Sequence, residues 1–393
     1  MNQMKHLFLL DPDIIFLNHG SFGACPMPVF ETYQNWQRQI EREPVEFLGR
    51  LSTQLLAESR QRLATYLGVK SDEVVYFTNP TTAINMVARN LFKLKNPLLH
   101  PGDEILATNH EYGAMDRTWH YLCKQSGVRY IQQAIPLPLI NTNDLIEFFW
   151  SGVNHRTRVI FISHITSPTA LRFPVREICR RARQAGILTI IDGAHAPGHI
   201  PLDLKEMNVD FYGAACHKWL CAPKGSGFLY AHKNVQYLLD PLVVSWGYES
   251  EKPSGSQFID YHEWQGTRDL AAFLSVPAAI DFQAENDWET VRKNCHRLAI
   301  ETRNRIDQLT GLQPISLDHW VNQMVSVRLP DHLKLDMFKE DLYNLFHIEV
   351  PTILWNSKSF IRVSFQAYNT QDDADSLVEA ISYLLKKYNY SGE

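Results

Sequence analysis

Between about residue 50 and residue 230, runs rich in β-branched and aromatic residues alternate with segments of helical periodicity, and this alternation narrows the possible folds more than any other feature. The runs EVVYFT, EILATN, VRYIQQ, RVIFISHI, ILTIIDG, VDFYGAACH and GSGFLYA read as strands, whereas TAINMVARNLF, MDRTWHYLCKQSG and VREICRRARQAG read as helices among them. Such an order predicts a mainly parallel sheet with helices on both faces. After about residue 275 the pattern changes. AIDFQAENDWETVRKNCHRLAIETRNRIDQLT predicts one long amphipathic helix, followed by strands around MVSVRLP, IEVPTIL and FIRVSF and a last helix through DADSLVEAISYLLKKY.

With 393 residues the chain exceeds the size at which one hydrophobic core keeps growing. The expectation is an α/β protein of two domains: a large mainly parallel-sheet domain over 30–275, and a smaller α+β domain built from 1–29 and 276–393. The stretch GYESEKPSGSQFIDYHEWQGTRD reads as a long loop, and loops of that length in compact enzymes are mostly functional.

A hydrophobic content of 45% without an apolar run near twenty residues predicts a soluble chain and no membrane partner. In MNQMKHLFLLDPDIIF an Asp-Pro-Asp interrupts a short apolar stretch and no small-residue cleavage site follows, so it does not read as a signal peptide; the expected location is the cytoplasm. Six scattered cysteines form no CxxC and point to single thiols rather than a disulfide framework. The net charge of -5 argues against nucleic acid, and the arginines at 172, 176, 180, 181 and 183 read as the solvated face of a helix starting near Pro174.

Chemistry concentrates near Lys218, which follows the strand-like VDFYGAACH and precedes a Pro/Gly-rich loop. A lysine amine whose pKa is lowered by desolvation or nearby cations forms a Schiff base with a carbonyl, and pyridoxal 5′-phosphate also needs a carboxylate for its ring nitrogen. Asp192 closes the strand ILTIID and would emerge at the carboxyl end of the sheet, where open α/β sheets keep their ligands. Thr81 and Thr82 begin a helix directly after EVVYFT, either as a phosphate seat or simply as helix caps. Asp192, His195 and His199 form a D-x-x-H-x-x-x-H series, but Pro197 and Gly198 interrupt the helical geometry a shared metal would need, so no metal is expected. Arg362 in FIRVSF is either a clamp for a substrate carboxylate or half of a structural salt bridge. Asn18 and His19 either line the substrate entrance or, with Gly20 and Gly23, belong simply to a turn leading into the following helix.

In order and spacing, LNHGSFG, NPTTAIN, NHEYGA, SHITSPTA, IDGAHAPG, CHKW, GTRD and IRVSF resemble the class V aminotransferase superfamily of fold-type I pyridoxal phosphate enzymes, and within it the isopenicillin N epimerase-like group. The resemblance covers nearly the whole chain. It implies that Lys218 binds the cofactor and later moves the substrate Cα proton, that Asp192 faces the ring nitrogen, and that His195 and Ser167 lie near the phenolic oxygen. Thr81, Thr82 and His217 would contact the phosphate. Tyr112 would stack on the cofactor, with His110 the near alternative, and Arg362 would hold the substrate carboxylate. Gly266 and Thr267 would reach a neighbouring subunit's phosphate, making the protein a homodimer with shared sites. Two departures stand out: Ala215 replaces a serine that many relatives use for phosphate, and no cysteine lies between Cys295 and Arg362, which argues against a persulfide-forming desulfurase.

The expected substrate is an amino acid or small peptide-like amine. After loss of the Cα proton, return of a proton from the other face (Tyr112, His110 and His19 being candidate acids) makes an epimerase, loss of a β-substituent a C–S lyase, and protonation at the cofactor an aminotransferase. A non-catalytic interaction protein would not need this set of residues.

Overall fold

The structure is a computed structural model that describes residues 4–93 and 96–388. Its strands are β1 (Ile15–Phe16), β2 (Val74–Phe77), β3 (Glu104–Thr108), β4 (Arg129–Gln133), β5 (Thr157–Ser163), β6 (Leu188–Asp192), β7 (Phe211–Ala215), β8 (Gly227–Ala231), β9 (Met324–Leu329), β10 (Ile348–Glu349), β11 (Thr352–Trp355) and β12 (Lys358–Ser364). Seven of them form one sheet in the order β2-β8-β7-β6-β5-β3-β4. All its pairings are parallel except those of β8, which runs antiparallel to both neighbours. The alternation of strand and helix in the sequence thus gives the expected mainly parallel sheet. Apart from the partly exposed edge strand β4, its strands are largely apolar because both faces are covered: Val74 and Tyr76 of β2 enter one hydrophobic cluster, Val75 and Phe77 the other.

A three-stranded antiparallel sheet, β11-β12-β9, carries the later part of the chain, backed by the helices Trp288–Thr310 and Gln371–Lys387. The N-terminal segment joins it: β1 pairs in parallel with β10, and Asn18 bridges to Ser364 at the end of β12.

Three local expectations are corrected. The long helical pattern after residue 275 is two helices, Val276–Glu285 and Trp288–Thr310, because Asp287 adopts φ 42° and its carboxylate accepts from Thr290 N, starting a new helix. IEVPTIL is not one strand but β10 and β11, which pair with different partners on either side of Val350 and Pro351. The long loop contains a helix, Gln257–His262, capped by Ser256 Oγ on Ile259 N. Among the arginines after Pro174, Arg176, Arg180, Arg181 and Arg183 pair with acidic residues. No helix among the described residues is long and apolar enough to cross a membrane.

Candidate active site

The carboxyl ends of β2, β3, β5, β6 and β7 lie on one side of the large sheet, and a cavity of about 140 Å³ opens there. Lys218, Asp192, His195, His217, Tyr112, Ser167 and Thr81 line it, joined by Ser21, Phe22, Asn79, Pro80, Ser163, Ile165 and Ala194. Asp192 is the last residue of β6, and its Oδ1 accepts a 2.9 Å hydrogen bond from Ala194 N. Burial raises its pKa, against the Ala194 bond and the Lys218 charge. Gly193 is required behind it: a Cβ there would stand 1.9 Å from the Tyr212 ring.

Lys218 follows β7, and its pKa is lowered to about 8, first by burial and then by the Arg362 charge, with Asp192 opposing. Its Nζ lies 3.3 Å from His195 Nε2. The other nitrogen of that ring, Nδ1, takes a 3.2 Å bond from Trp219 Nε1, and an indole N–H can only donate. His195, whose pKa burial holds well below the ordinary imidazole value, therefore carries its proton on Nε2 and presents it to the lysine nitrogen. Such a donor favours the neutral, nucleophilic amine. His199 stacks on Trp219 at 3.8 Å between ring centroids, accepts from Gln323 N through Nε2 and donates to His195 O through Nδ1. Its ring is fully used as a strut.

The helix Pro80–Leu91 starts at the cavity wall. Its cap is Asn79, whose Oδ1 accepts from Thr82 N at 2.8 Å and from Thr82 Oγ1 at 3.1 Å. Of the two threonines only Thr81 lines the cavity; Thr82 spends its hydroxyl on Asn79. The first turn of this helix, with its partial positive charge, thus faces the cavity. His217 sits alongside, its Nδ1 donating to Ser226 O at 2.8 Å, and burial lowers its pKa to about 4.

Arg362 lies in β12 and is buried. Nη1 donates to Ser167 O at 2.7 Å and to Ser167 Oγ at 3.1 Å, Nη2 donates to Ser21 Oγ at 3.0 Å, and Nε has no hydrogen-bond partner among the described residues. Among the described residues no carboxylate pairs with it, so the structural salt bridge is absent, and burial lowers its pKa to about 10. Both serines that it holds line the cavity.

Several residues singled out in the sequence stand elsewhere. His110 does not line the cavity; it is buried, bonded through Nδ1 to Thr169 Oγ1 at 2.7 Å and packed on Trp355. Asn18 and His19 do not line it either. Asn18 donates to Glu349 Oε1 and accepts from Ser21 Oγ, while His19 is fully buried behind Lys218. Their neighbours Ser21 and Phe22, in the short helix His19–Phe22, take the place at the cavity. Gly266 and Thr267 are also away from the cavity, Gly266 at φ 112° and Thr267 exposed. Glu111 escaped the sequence reading although it lies inside NHEYGA. Its Oε1 accepts from Thr108 Oγ1 at 2.5 Å and its Oε2 from Ser163 N and Oγ at 2.8 and 2.6 Å, tying the ends of β3 and β5 together beside Tyr112.

The fold and this site define a class of proteins. The aminotransferase class-V profile matches residues 28–377, and the chain belongs to that family. It is similar to an isopenicillin N epimerase of Amycolatopsis lactamdurans, 36% identical over 96% of both chains. A probable chloroplastic L-cysteine desulfhydrase of Arabidopsis thaliana is 28% identical, over 96% of this chain and 84% of its own. Among solved structures, an apo cysteine desulfurase of Thermococcus onnurineus superposes with a TM-score of 0.83 at 19% identity, covering 98% of each chain. The protein is accordingly a pyridoxal 5′-phosphate enzyme. The cavity fits that group in kind: a buried amine of lowered pKa, a buried carboxyl and an open helix start line it, and a buried guanidinium without a counter-ion among the described residues stands next to it.

Proposed function

We propose that the enzyme acts at the Cα of an amino acid or small peptide-like amine, moving the Cα proton as an epimerase similar to those of its family. The observation that carries this reading is the unpaired, buried Arg362 beside a cavity that also holds the Lys218 amine, an arrangement that calls for a substrate carrying a carboxylate next to an amino group. Lys218 would hold the cofactor, Asp192 its ring nitrogen, and Thr81 with the start of its helix the phosphate; His217 and the Asn79 cap support that end. His195 and Ser167 would contact the ring oxygen. When bound, the cofactor supplies an electron sink that acidifies the substrate Cα–H bond.

The remaining work falls to side chains. Arg362 binds the carboxylate and orients the Cα–H bond towards Lys218 Nζ, which takes the proton. Tyr112, at the cavity and half exposed, would return a proton to Cα from another direction. Lys218 then gives up its proton to the ionised tyrosine, directly or through water, and the cycle closes without net gain or loss. Relatives named as desulfhydrases support a second reading, a C–S lyase on a cysteine derivative, in which the lysine again removes the Cα proton and the sulfur leaves.

We further propose a cytoplasmic homodimer in which Gly266 and Thr267 complete the neighbouring site, and a division into a large domain over 30–275 and a small one from 1–29 with 276–393. The deciding experiment incubates the holoenzyme with L- and D-amino acids, small peptides and cysteine conjugates in D₂O. Deuterium at Cα with inverted chirality supports the epimerase. Pyruvate and ammonia with a released thiol establish the lyase instead, and a Lys218→Ala protein that retains cofactor colour and turnover sinks both.

A further inference from the structure

The segment Asn18–Gly23 lies against the backbone of Lys218 and against Arg362 at once. Gly23 has φ 71°, and a Cβ on it would be 2.1 Å from His217 O and 2.8 Å from Lys218 O, so helix His19–Phe22 rests directly on the main chain that carries the amine. Two residues earlier, Ser21 Oγ accepts from Arg362 Nη2. Between these contacts His19 Nε2 stands 3.0 Å from Lys218 O, and His19 Nδ1 stands 3.0 Å from Tyr368 Oη. A carbonyl oxygen only accepts, so the proton of this ring is on Nε2, and Nδ1 accepts from the tyrosine hydroxyl. The Gln366 amide nitrogen, 3.3 Å from the same Nε2, is left to donate to Cys221 Sγ at 3.9 Å. The ring also packs on Trp219, the donor that sets the His195 tautomer.

We propose that His19 is a positioning residue for Lys218: a neutral imidazole, pinned by Tyr368, that fixes the lysine backbone and, through Ser21 in the same helix turn, sets the spacing between the Lys218 amine and the Arg362 guanidinium. The inference rests on Lys218 being the catalytic lysine. His19 touches neither substrate nor the reacting atoms. It joins the turn after β7 to the segment Asn18–Gly23 and to Tyr368, which follows β12, so that the amine from the large sheet and the guanidinium from the small one hold one geometry. Burial lowers the His19 pKa to about 3, in keeping with a ring that stays neutral.

Glutamine can place an N–H where Nε2 stands; leucine fills the space without donating. In the holoenzyme, His19→Leu is expected to lower kcat by about 10- to 100-fold with KM changed far less, whereas His19→Gln recovers most of kcat, as befits displacement of a reacting group by a fraction of an ångström. Tyr368→Phe removes the outer pin and should lower kcat less than His19→Leu, again with little change in KM. A readout free of turnover is the rate at which Lys218 of the cofactor-free protein is acylated by an amine-reactive anhydride, followed by peptide mass spectrometry. It should change by threefold or more in His19→Leu and stay within about twofold in His19→Gln, because reactivity follows the amine's surroundings. Unchanged kcat and labelling in His19→Leu overturn the proposal. So does a loss of activity shared equally by all three variants and matched by a loss of thermal stability. If Lys218→Ala remains active while the labelling responds as expected, the catalytic reading fails and the placement of the lysine by His19 stands.

Discussion

Lys218 and Arg362 are two basic side chains beside one small cavity, with the buried Asp192 carboxyl near the lysine, and their burial and mutual repulsion govern the chemistry of single residues. The amine is pushed down to about 8 from an ordinary 10.5. Because its folded pKa is the lower one, the unfolded chain binds more protons between those values, so this residue makes the cofactor-free protein gain stability as pH rises from about 8 to 10.5. Below 8 both states are protonated and the full cost of burying the charge is felt. Lys218→Met lacks this term; relative to it the wild type should gain on the order of 3 kcal/mol across that window, read by urea unfolding at successive pH values. Arg362→Lys keeps a charge but loses the fork that grips a carboxylate, and a KM raised by about 10- to 100-fold is expected in steady-state assays with kcat less affected. An unchanged KM would remove Arg362 from the carboxylate site.

At the scale of elements, the site is a set of strand ends held in register by short side chains. Asn79 caps the helix Pro80–Leu91 and aims its first turn into the cavity. Asn79→Ala should cost about 1 kcal/mol of stability by urea unfolding and weaken cofactor retention in equilibrium dialysis, since the cap and the anion seat are the same backbone. Glu111 ties β3 to β5 through Thr108 and Ser163, which places Tyr112 and Ser163 on one wall. That tie was invisible in the sequence, where a glutamate between His110 and Tyr112 reads as a loop charge. The break at Asp287 was missed for a similar reason: apolar spacing continues across it, and only the φ of 42° at Asp287 shows that the helix restarts. Most strand positions of the large sheet were legible because both of its faces are buried and these strands are therefore largely apolar, the edge strand β4 excepted.

The whole molecule exposes a group of large apolar side chains near one another in sequence, Tyr237, Val244 and Trp246, the last 87% exposed. A monomer gains nothing from wetting them, and the proposed homodimer offers a cover. Trp246→Glu should shift the protein towards monomer in size-exclusion chromatography with light scattering and loosen cofactor binding in parallel, because Gly266 and Thr267 of each copy are proposed to serve the other's site. A Trp246→Glu protein that remains dimeric places the interface elsewhere.

The sequence by itself determined the strand order of chemistry: which strand ends carry Asp192 and Lys218, where a helix begins next to them, and that an arginine lies in a late apolar strand. Periodicity and turn residues are local properties, and they are readable without neighbours. Only the tertiary structure decided which of these residues meet. It exchanged Asn18 and His19 for Ser21 and Phe22 at the cavity, gave Thr81 to it and Thr82 to the helix cap, withdrew His110 into the core, and left Arg362 without a carboxylate partner among the described residues. Apart from the local bond of Thr82 to Asn79, these outcomes rest on distances between segments far apart in the chain, from residue 18 to residue 362, and spacing along a sequence carries no information about such distances until the sheets have packed.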